Sequence, residues 1–187
     1  LDKDTSGCLV LGRHRKALAK LGDLFKQRRI GKTYWAVVEG RPATDTGRID
    51  MPLGKRDDTR GWWMKPDPNG QPAQTDWRVR GEADGYTWLD LDPLTGRTHQ
   101  LRVHCAEMGW PIVGDPVYGT GQRGGDTPLH LHARGIVVPI SNNKPPVAVE
   151  APVPAHMQDK LAACGFVETL SRAQGAAVMA GHDTVDQ

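Results

Sequence analysis

The sequence is short of cysteine. Three stand in 187 residues, at positions 8, 105 and 164. An odd count at such wide spacing supports neither a disulfide framework nor a zinc knuckle, and reduced thiols fit a cytoplasmic protein. Long apolar runs are missing as well, so no stretch reaches membrane-spanning length, and no secretory leader pattern is visible. Charge of one sign is lacking too. The formal net charge is +2, with 24 Lys and Arg against 22 Asp and Glu, so the sum does not mark a nucleic-acid binder. The sum hides a local concentration. KQRRIGK (26–32) gathers cations, and Arg56, Arg60, Arg78 and Arg80 follow. Such a surface can meet phosphates, although a solvated helix face is the plainer explanation of the cluster alone. A composition of 38% hydrophobic and 25% charged residues is ordinary for a soluble globular chain. The length allows one domain with a sizeable core.

The patterning predicts a strand-dominated α+β domain with few helices. CLVLG (8–12) reads as a short buried strand. Residues 13–29 read as a helix with Leu18, Leu21 and Phe25 at helical spacing. KTYWAVVEG (32–40) is β-branched and aromatic; Tyr34, Ala36 and Val38 should face one way and Thr33, Trp35 and Val37 the other. Residues 41–72, rich in Pro, Gly and Asp, hold a short strand near 48–53 and a long excursion. QTDWRVRG (74–81) and YTWLDLDP (86–93) read as a hairpin. THQLRVHCAEMG (98–109) reads as a helix closed by Gly109. LHLHA (129–133), GIVVPI (135–140) and PVAVEAP (146–152) read as strands, and 154–163 as a short helix. Residues 1–165 are expected to form the domain and 166–187 a mobile tail.

Three stretches carry side chains suited to chemistry. Asp2, in LDKDTSG, precedes a turn into a strand, where a carboxylate can be a nucleophile, a base or only a turn cap. Tyr34 either packs in the core or presents its hydroxyl to a cleft. Arg97, in LTGRTHQLRVH, lies where a strand becomes a helix. A cation there opposes the helix dipole and needs an anionic partner, a carboxylate of the chain or a substrate phosphate. His99 and His104 are five apart and share no helical face. His130 and His132 would share a strand face, but no carboxylate or cysteine completes a ligand spacing, so no metal is expected. A metal-dependent hydrolase built on these histidines is the least favoured reading.

Taken together, these stretches resemble one family. LDKDTSG is similar to the end of the HRLDxxTSG motif of the RluA-type pseudouridine synthases. KTYWAVVEG is similar to their KxYxAxVxG strand, GRTHQLRVHCAEMGWPIVGDPVYG to their GRTHQLRxH…GxPIxGDxxYG signature, and LHLHA to the LHA strand that follows. The resemblance runs from residue 1 to about residue 152. In the family a histidine, an arginine and one or more strands precede the Leu-Asp pair, so the chain is expected to be N-terminally incomplete.

The resemblance implies a mixed, mostly antiparallel sheet with a few helices packed on it, and an isomerase of uridine in structured RNA, ribosomal or transfer. It implies no metal and no organic cofactor. It assigns Asp2 as the catalytic aspartate, with Arg97 beside it to keep it ionised, and Tyr34 against the uracil ring, where it removes the carbon 5 proton. Leu131 would form the other wall of the uracil slot. Lys32 would contact phosphate. Arg56 and Arg60 lie on an excursion (55–70) that, with Trp62 and Trp63, either faces RNA or folds back with its tryptophans buried. A monomeric, cytoplasmic enzyme acting on a loop or bulge uridine is expected. The alternative is a non-catalytic RNA-binding fragment of the same fold.

Overall fold

The computed structural model describes residues 1–57, 63–141 and 143–167. In chain order the elements are β1 (Ser6–Gly7), α1 (Arg15–Lys26), β2 (Gly31–Glu39), β3 (Thr46–Asp50), β4 (Leu53–Lys55), β5 (Met64–Pro66), β6 (Gln74–Ala83), β7 (Tyr86–Pro93), α2 (Gln100–Glu107), β8 (Leu131–Val138), β9 (Val147–Glu150) and α3 (Ala155–Ala163). The main sheet has seven strands in the order β1-β8-β2-β7-β6-β3, with β9 also on β8, while β4 and β5 pair apart. Among the described residues only β1 runs parallel to its neighbour. The expected mixed, mostly antiparallel sheet is what forms.

Its centre is β2, and the alternation of that strand builds a core on each face. Ala36 and Val38 are fully buried on one side with Leu89, Leu91, Leu101 and Leu131, and Tyr34 packs at their margin. Trp35 and Val37 point to the other side, against Trp88 and the α3 residues Met157 and Leu161. Trp35 and Trp88 meet edge to face at 4.7 Å, an arrangement the ring quadrupoles favour. The β6–β7 hairpin turns on Asp84 and Gly85, with φ of 53° and 79°. A two-residue turn with both φ positive matches the strand twist, and Asp-Gly is suited to it.

Several expectations shift. The strand at the chain start is Ser6–Gly7, not 8–12. Gly7 has φ 110°, and a Cβ there would fall 2.3 Å from the Ala133 carbonyl oxygen, so the chain presses on β8 and then leaves it. Leu9 and Leu11 are consequently exposed. Helix α1 is shorter than 13–29, because His14 Nδ1 caps its start by accepting from Ala17 N–H and Arg28 turns left-handed at φ 56°. Its buried edge is Leu24 with Leu21, packed on Ile30, Val138 and Ile136, while Leu18 and Phe25 stay exposed. LHLHA and GIVVPI contribute one continuous strand, β8, through Gly135. Phe166, expected in the tail, packs edge-on against Trp35 at 5.3 Å, so packed chain extends past residue 165. Residues 168–187 lie outside the described residues. Among the described residues no helix is long and apolar enough to cross a membrane.

The C-terminal end of α3 sits directly on the bulge of β6 at Gly81. A Cβ at Gly81 would lie 1.8 Å from the Cys164 carbonyl oxygen. Since backbone cannot yield cheaply to such overlap, Gly81→Ala is expected to destabilise the fold by about 3 kcal/mol, at the upper end of ordinary overpacking. Urea denaturation of the variant checks this.

Candidate active site

The cleft opens where four elements end together. The turn before β1 brings Asp2, with Thr5 N–H donating to the Asp2 carbonyl at 3.1 Å. The first half of β2 brings Lys32 and Tyr34. The segment from the end of β7 to the start of α2 brings Thr95, Gly96 and Arg97, and β8 brings Leu131. All of these line one cavity of about 880 Å³. Asp2, Tyr34, Arg97, Lys32 and Leu131, separated by up to 129 positions (131 minus 2), therefore share a single space.

Helix α2 forms the floor, and most of it is buried. Its polar residues are nonetheless paired, as buried polar groups must be. Gln100 accepts from Thr95 Oγ1 at 2.7 Å and from Arg97 N–H at 3.1 Å, and donates to the Gln74 carbonyl at 2.9 Å. His104 Nδ1 bonds Thr75 Oγ1 at 2.9 Å, and Nε2 reaches the Met51 carbonyl at 3.0 Å. Between them, Arg102 donates from Nε and Nη2 to the two oxygens of Asp115, each at 2.8 Å. Asp115 Oδ1 also accepts from Val117 N–H at 2.9 Å and Tyr118 N–H at 3.1 Å. Side-chain exposure is only 5% for Arg102 and 1% for Asp115.

The guanidinium that reaches Asp2 is Arg102, at 3.8 Å from Nη1 to Oδ2. This corrects the expectation that Arg97 does so. Arg97 sits in the turn before α2, and its Nε donates instead to the Pro72 carbonyl at 3.0 Å. Its side chain borders the cleft without joining an ion pair to Asp2. Arg102, already inside the helix, is aimed between Asp115 and Asp2.

The local fields follow from this arrangement. Burial opposes charge on Arg102, but its bonds to Asp115 and the nearby Asp2 carboxylate win, and its pKa lies above the ordinary guanidinium value. Burial likewise opposes charge on Asp115, yet Arg102 and the two backbone donors hold it below the usual carboxylate range. Burial first, and then the charge of Asp2, push the Tyr34 phenol upward. His99 is pulled down by burial and by Arg102. It holds φ 52° at the helix entrance and shares a 2.9 Å hydrogen bond between Nδ1 and the Tyr118 hydroxyl. Lys32, partly buried in the cleft wall, is lowered by desolvation.

Of the excursion, Trp63 is half-buried at the cleft and Arg56 lies over its ring. Arg56 itself is not a lining residue. Arg60 and Trp62 fall outside the described residues. The sequence reading missed Arg102 and Asp115. The signal was present, since an arginine inside a helix flanked by Leu101 and Val103 needs a buried acid, and GDPVYG supplies one beside a turn.

A family model described as RNA pseudouridylate synthase matches residues 1–107. The chain belongs to that family. It is 41% identical over 161 residues to an uncharacterized RNA pseudouridine synthase of Zymomonas mobilis, covering 85% of this chain and 73% of the relative. It is 35% identical over 170 residues to ribosomal large subunit pseudouridine synthase C of Vibrio cholerae, covering 86% of this chain and 52% of that protein. The chain thus spans about half the length of the Vibrio relative. The solved structure of human RNA pseudouridylate synthase domain containing 1 superposes with a TM-score of 0.73 at 33% identity, covering 82% of this chain and 67% of that one. Pseudouridine synthases of this family are isomerases, and the fold of the chain is theirs.

Removing one member of the buried pair strands the other. Asp115→Ala is expected to cost about 3–5 kcal/mol, and a paired apolar replacement of Arg102 and Asp115 considerably less. Because the folded pKa of Asp115 lies below its unfolded value, its contribution is full above the ordinary carboxylate pKa. It is lost as pH falls through the lowered value. Asp115→Asn should therefore flatten the acid limb of the stability–pH curve, as read from urea midpoints across pH.

Proposed function

We propose that this chain converts uridine in RNA to pseudouridine, with Asp2 as the carboxylate that acts on the ribose of a flipped-out nucleotide. The observation that carries the reading is the ion contact of Asp2 with Arg102 at the wall of a cavity that Tyr34 and Leu131 also border. Asp2 stays partly exposed, at 24%. It can therefore meet substrate while the contact with Arg102 orients it. The reaction breaks the bond from N1 to the ribose and forms one from carbon 5. A proton leaves carbon 5 and N1 gains one. Atoms and electrons balance within the nucleotide, so no redox partner or cofactor is required.

Leu131 and Tyr34 then bound the uracil. The raised pKa of Tyr34 keeps its phenol neutral near pH 7. Transfer of the carbon 5 proton through its oxygen is then a relay: the phenol oxygen takes up that proton while its own passes through solvent to N1. Lys32 and Arg97 supply positive charge for the phosphates on either side of the flipped base. Unstacking a base costs about a few kcal/mol and least where RNA is already unpaired, which favours loop or bulge uridines of ribosomal or transfer RNA. We place the enzyme in the cytoplasm and expect it to act as a monomer.

The test is to incubate the protein with RNA from cells lacking the corresponding enzyme and to map new pseudouridines. Wild type should create them, and Asp2→Asn should not. RNA binding without any new pseudouridine would sink the enzymatic reading and leave a binding module. Arg102→Lys keeps the charge but loses the fork, and should lower kcat more than about tenfold, the worth of one charge-assisted hydrogen bond. Arg97→Gln should act mainly on KM.

Lys32 adds a pH signature. Its lowered pKa means that its charge is lost at a lower pH than for an ordinary lysine. RNA affinity should fall as pH rises through that value, and Lys32→Arg should hold affinity to higher pH. Binding titrations across alkaline pH decide it.

A further inference from the structure

At the mouth of the cleft, two arginines from distant segments converge on one tryptophan. The Arg123 guanidinium lies 4.9 Å from the centre of the Trp63 ring, and that of Arg56 lies 5.5 Å from it. Arg56 follows β4, Trp63 precedes β5, and Arg123 belongs to the loop after the GDPVYG turn, TGQRGGDTP (120–128). Trp63 itself lines the cavity that holds Asp2 and Tyr34.

We propose that Trp63 holds Arg56 and Arg123 as a two-pronged clamp for the backbone phosphates of RNA entering the cleft. The proposal deepens the synthase reading by adding residues that grip the strand; it rests on that reading for the identity of the RNA and not for the chemistry at Asp2.

The argument is geometric. A guanidinium over an aromatic ring is held by the electron-rich face of the ring. It carries five N–H donors, and those not engaged by the ring remain for a phosphate, which can take them in pairs. A tryptophan that orders two long side chains in advance also lowers the entropy they lose on binding.

The ring is tied to the catalytic floor. Arg56 N–H donates to the Trp63 carbonyl at 2.6 Å. The next residue, Met64, donates its N–H to the Tyr118 hydroxyl at 2.9 Å, and that hydroxyl is bonded to His99 at the entrance of α2. The Arg123 loop is anchored at the same place. Gly119 N–H and Gly121 N–H both donate to the Asp115 carbonyl, at 3.2 and 3.1 Å, and Thr120 Oγ1 donates to Glu39 at 2.5 Å. The acid that fixes Arg102 thus also fixes the stem of the loop that carries Arg123. Phosphates gripped here would be held in register with Asp2.

The test measures binding of a fluorescein-labelled oligouridylate against salt concentration. Each phosphate contact removed should reduce the slope of log affinity against log salt by about 0.7 for a single strand. Arg123→Gln and Arg56→Gln should each do so, and together they should be additive. Trp63→Phe keeps an aromatic face and should stay close to wild type, while Trp63→Leu should weaken binding several-fold. Unchanged slope and affinity in Arg123→Gln would overturn the clamp. So would equal affinity of the Phe and Leu variants at position 63. Pseudouridine formation is scored separately on wild-type protein. Slopes that fall with no pseudouridine formed sink the synthase reading and keep the clamp, and pseudouridine formed with unaltered slopes sinks the clamp alone.

Discussion

Everything at the cleft is organised by one guanidinium between two carboxylates. Arg102 makes both of its short bonds to Asp115 and keeps a longer contact, 3.8 Å, for Asp2. The inequality matters. A tight bidentate pair would occupy both oxygens of a carboxylate, and the longer contact leaves those of Asp2 accessible. Asp115 takes both short bonds of Arg102, and Asp2 keeps only the longer contact that orients it. The cluster of one cation and two anions carries a net negative charge, which resides at the solvent-facing end.

Such a pair is costly to bury, and it persists because its remaining hydrogen-bonding capacity is met. Two backbone N–H groups of the turn after Asp115 complete that carboxylate. The same turn delivers Tyr118, whose ring lies 5.3 Å from the Arg102 guanidinium and whose hydroxyl links Met64 to His99. Helix α2 is therefore buried on its polar sides as well as on the apolar ones that carry Leu101, Val103 and Cys105. Gln100, Arg102 and His104 alternate along it, each matched to a partner on β6, β7's following turn, the GDPVYG turn or the Met51 backbone. Polar matching and apolar burial together hold this helix, whereas α3 packs on the sheet through the apolar Met157 and Leu161.

This difference explains what could be read from the residues and what could not. Strand alternation survives translation into structure, so the two faces of β2 and the β6–β7 hairpin were legible. The turn residues Asp84 and Gly85 carried their own geometry. The first helix was legible as a helix but not in its facing. Leu18 and Phe25 look like a core stripe, yet only a small satellite cluster lies beneath α1, and it takes Leu21 and Leu24. At the site, the motifs brought the right segments together, since Asp2, Tyr34, Arg97, Lys32 and Leu131 do line one cavity. The helix dipole marks a cation in need of an anion, but it does not distinguish which of two nearby arginines is buried, and so Arg102 was not legible beside Arg97. Burial decides, because only the buried guanidinium is compelled to keep its carboxylates. Arg97, on the cavity border, can satisfy itself with a backbone carbonyl.

The charge layout of the cleft then has a direction. At the floor sits the anion, Asp2, with Arg102 and Asp115 behind it. Around it stand Lys32 on β2 and Arg97 on the turn before α2, cations that line the cavity and have no ion pair to Asp2. On the function proposed above, a neutral pyrimidine passes between them to the floor while the phosphates on either side of it stay at the rim. An RNA strand has that alternation of charge: an uncharged base on a sugar, flanked by anions at fixed spacing. A small acidic metabolite would be held at the rim and repelled at the floor, and a cation would meet the opposite order. The near-zero net charge of the chain thus conceals a local grouping, in which a carboxylate and two cations without an ion pair to it line one cavity.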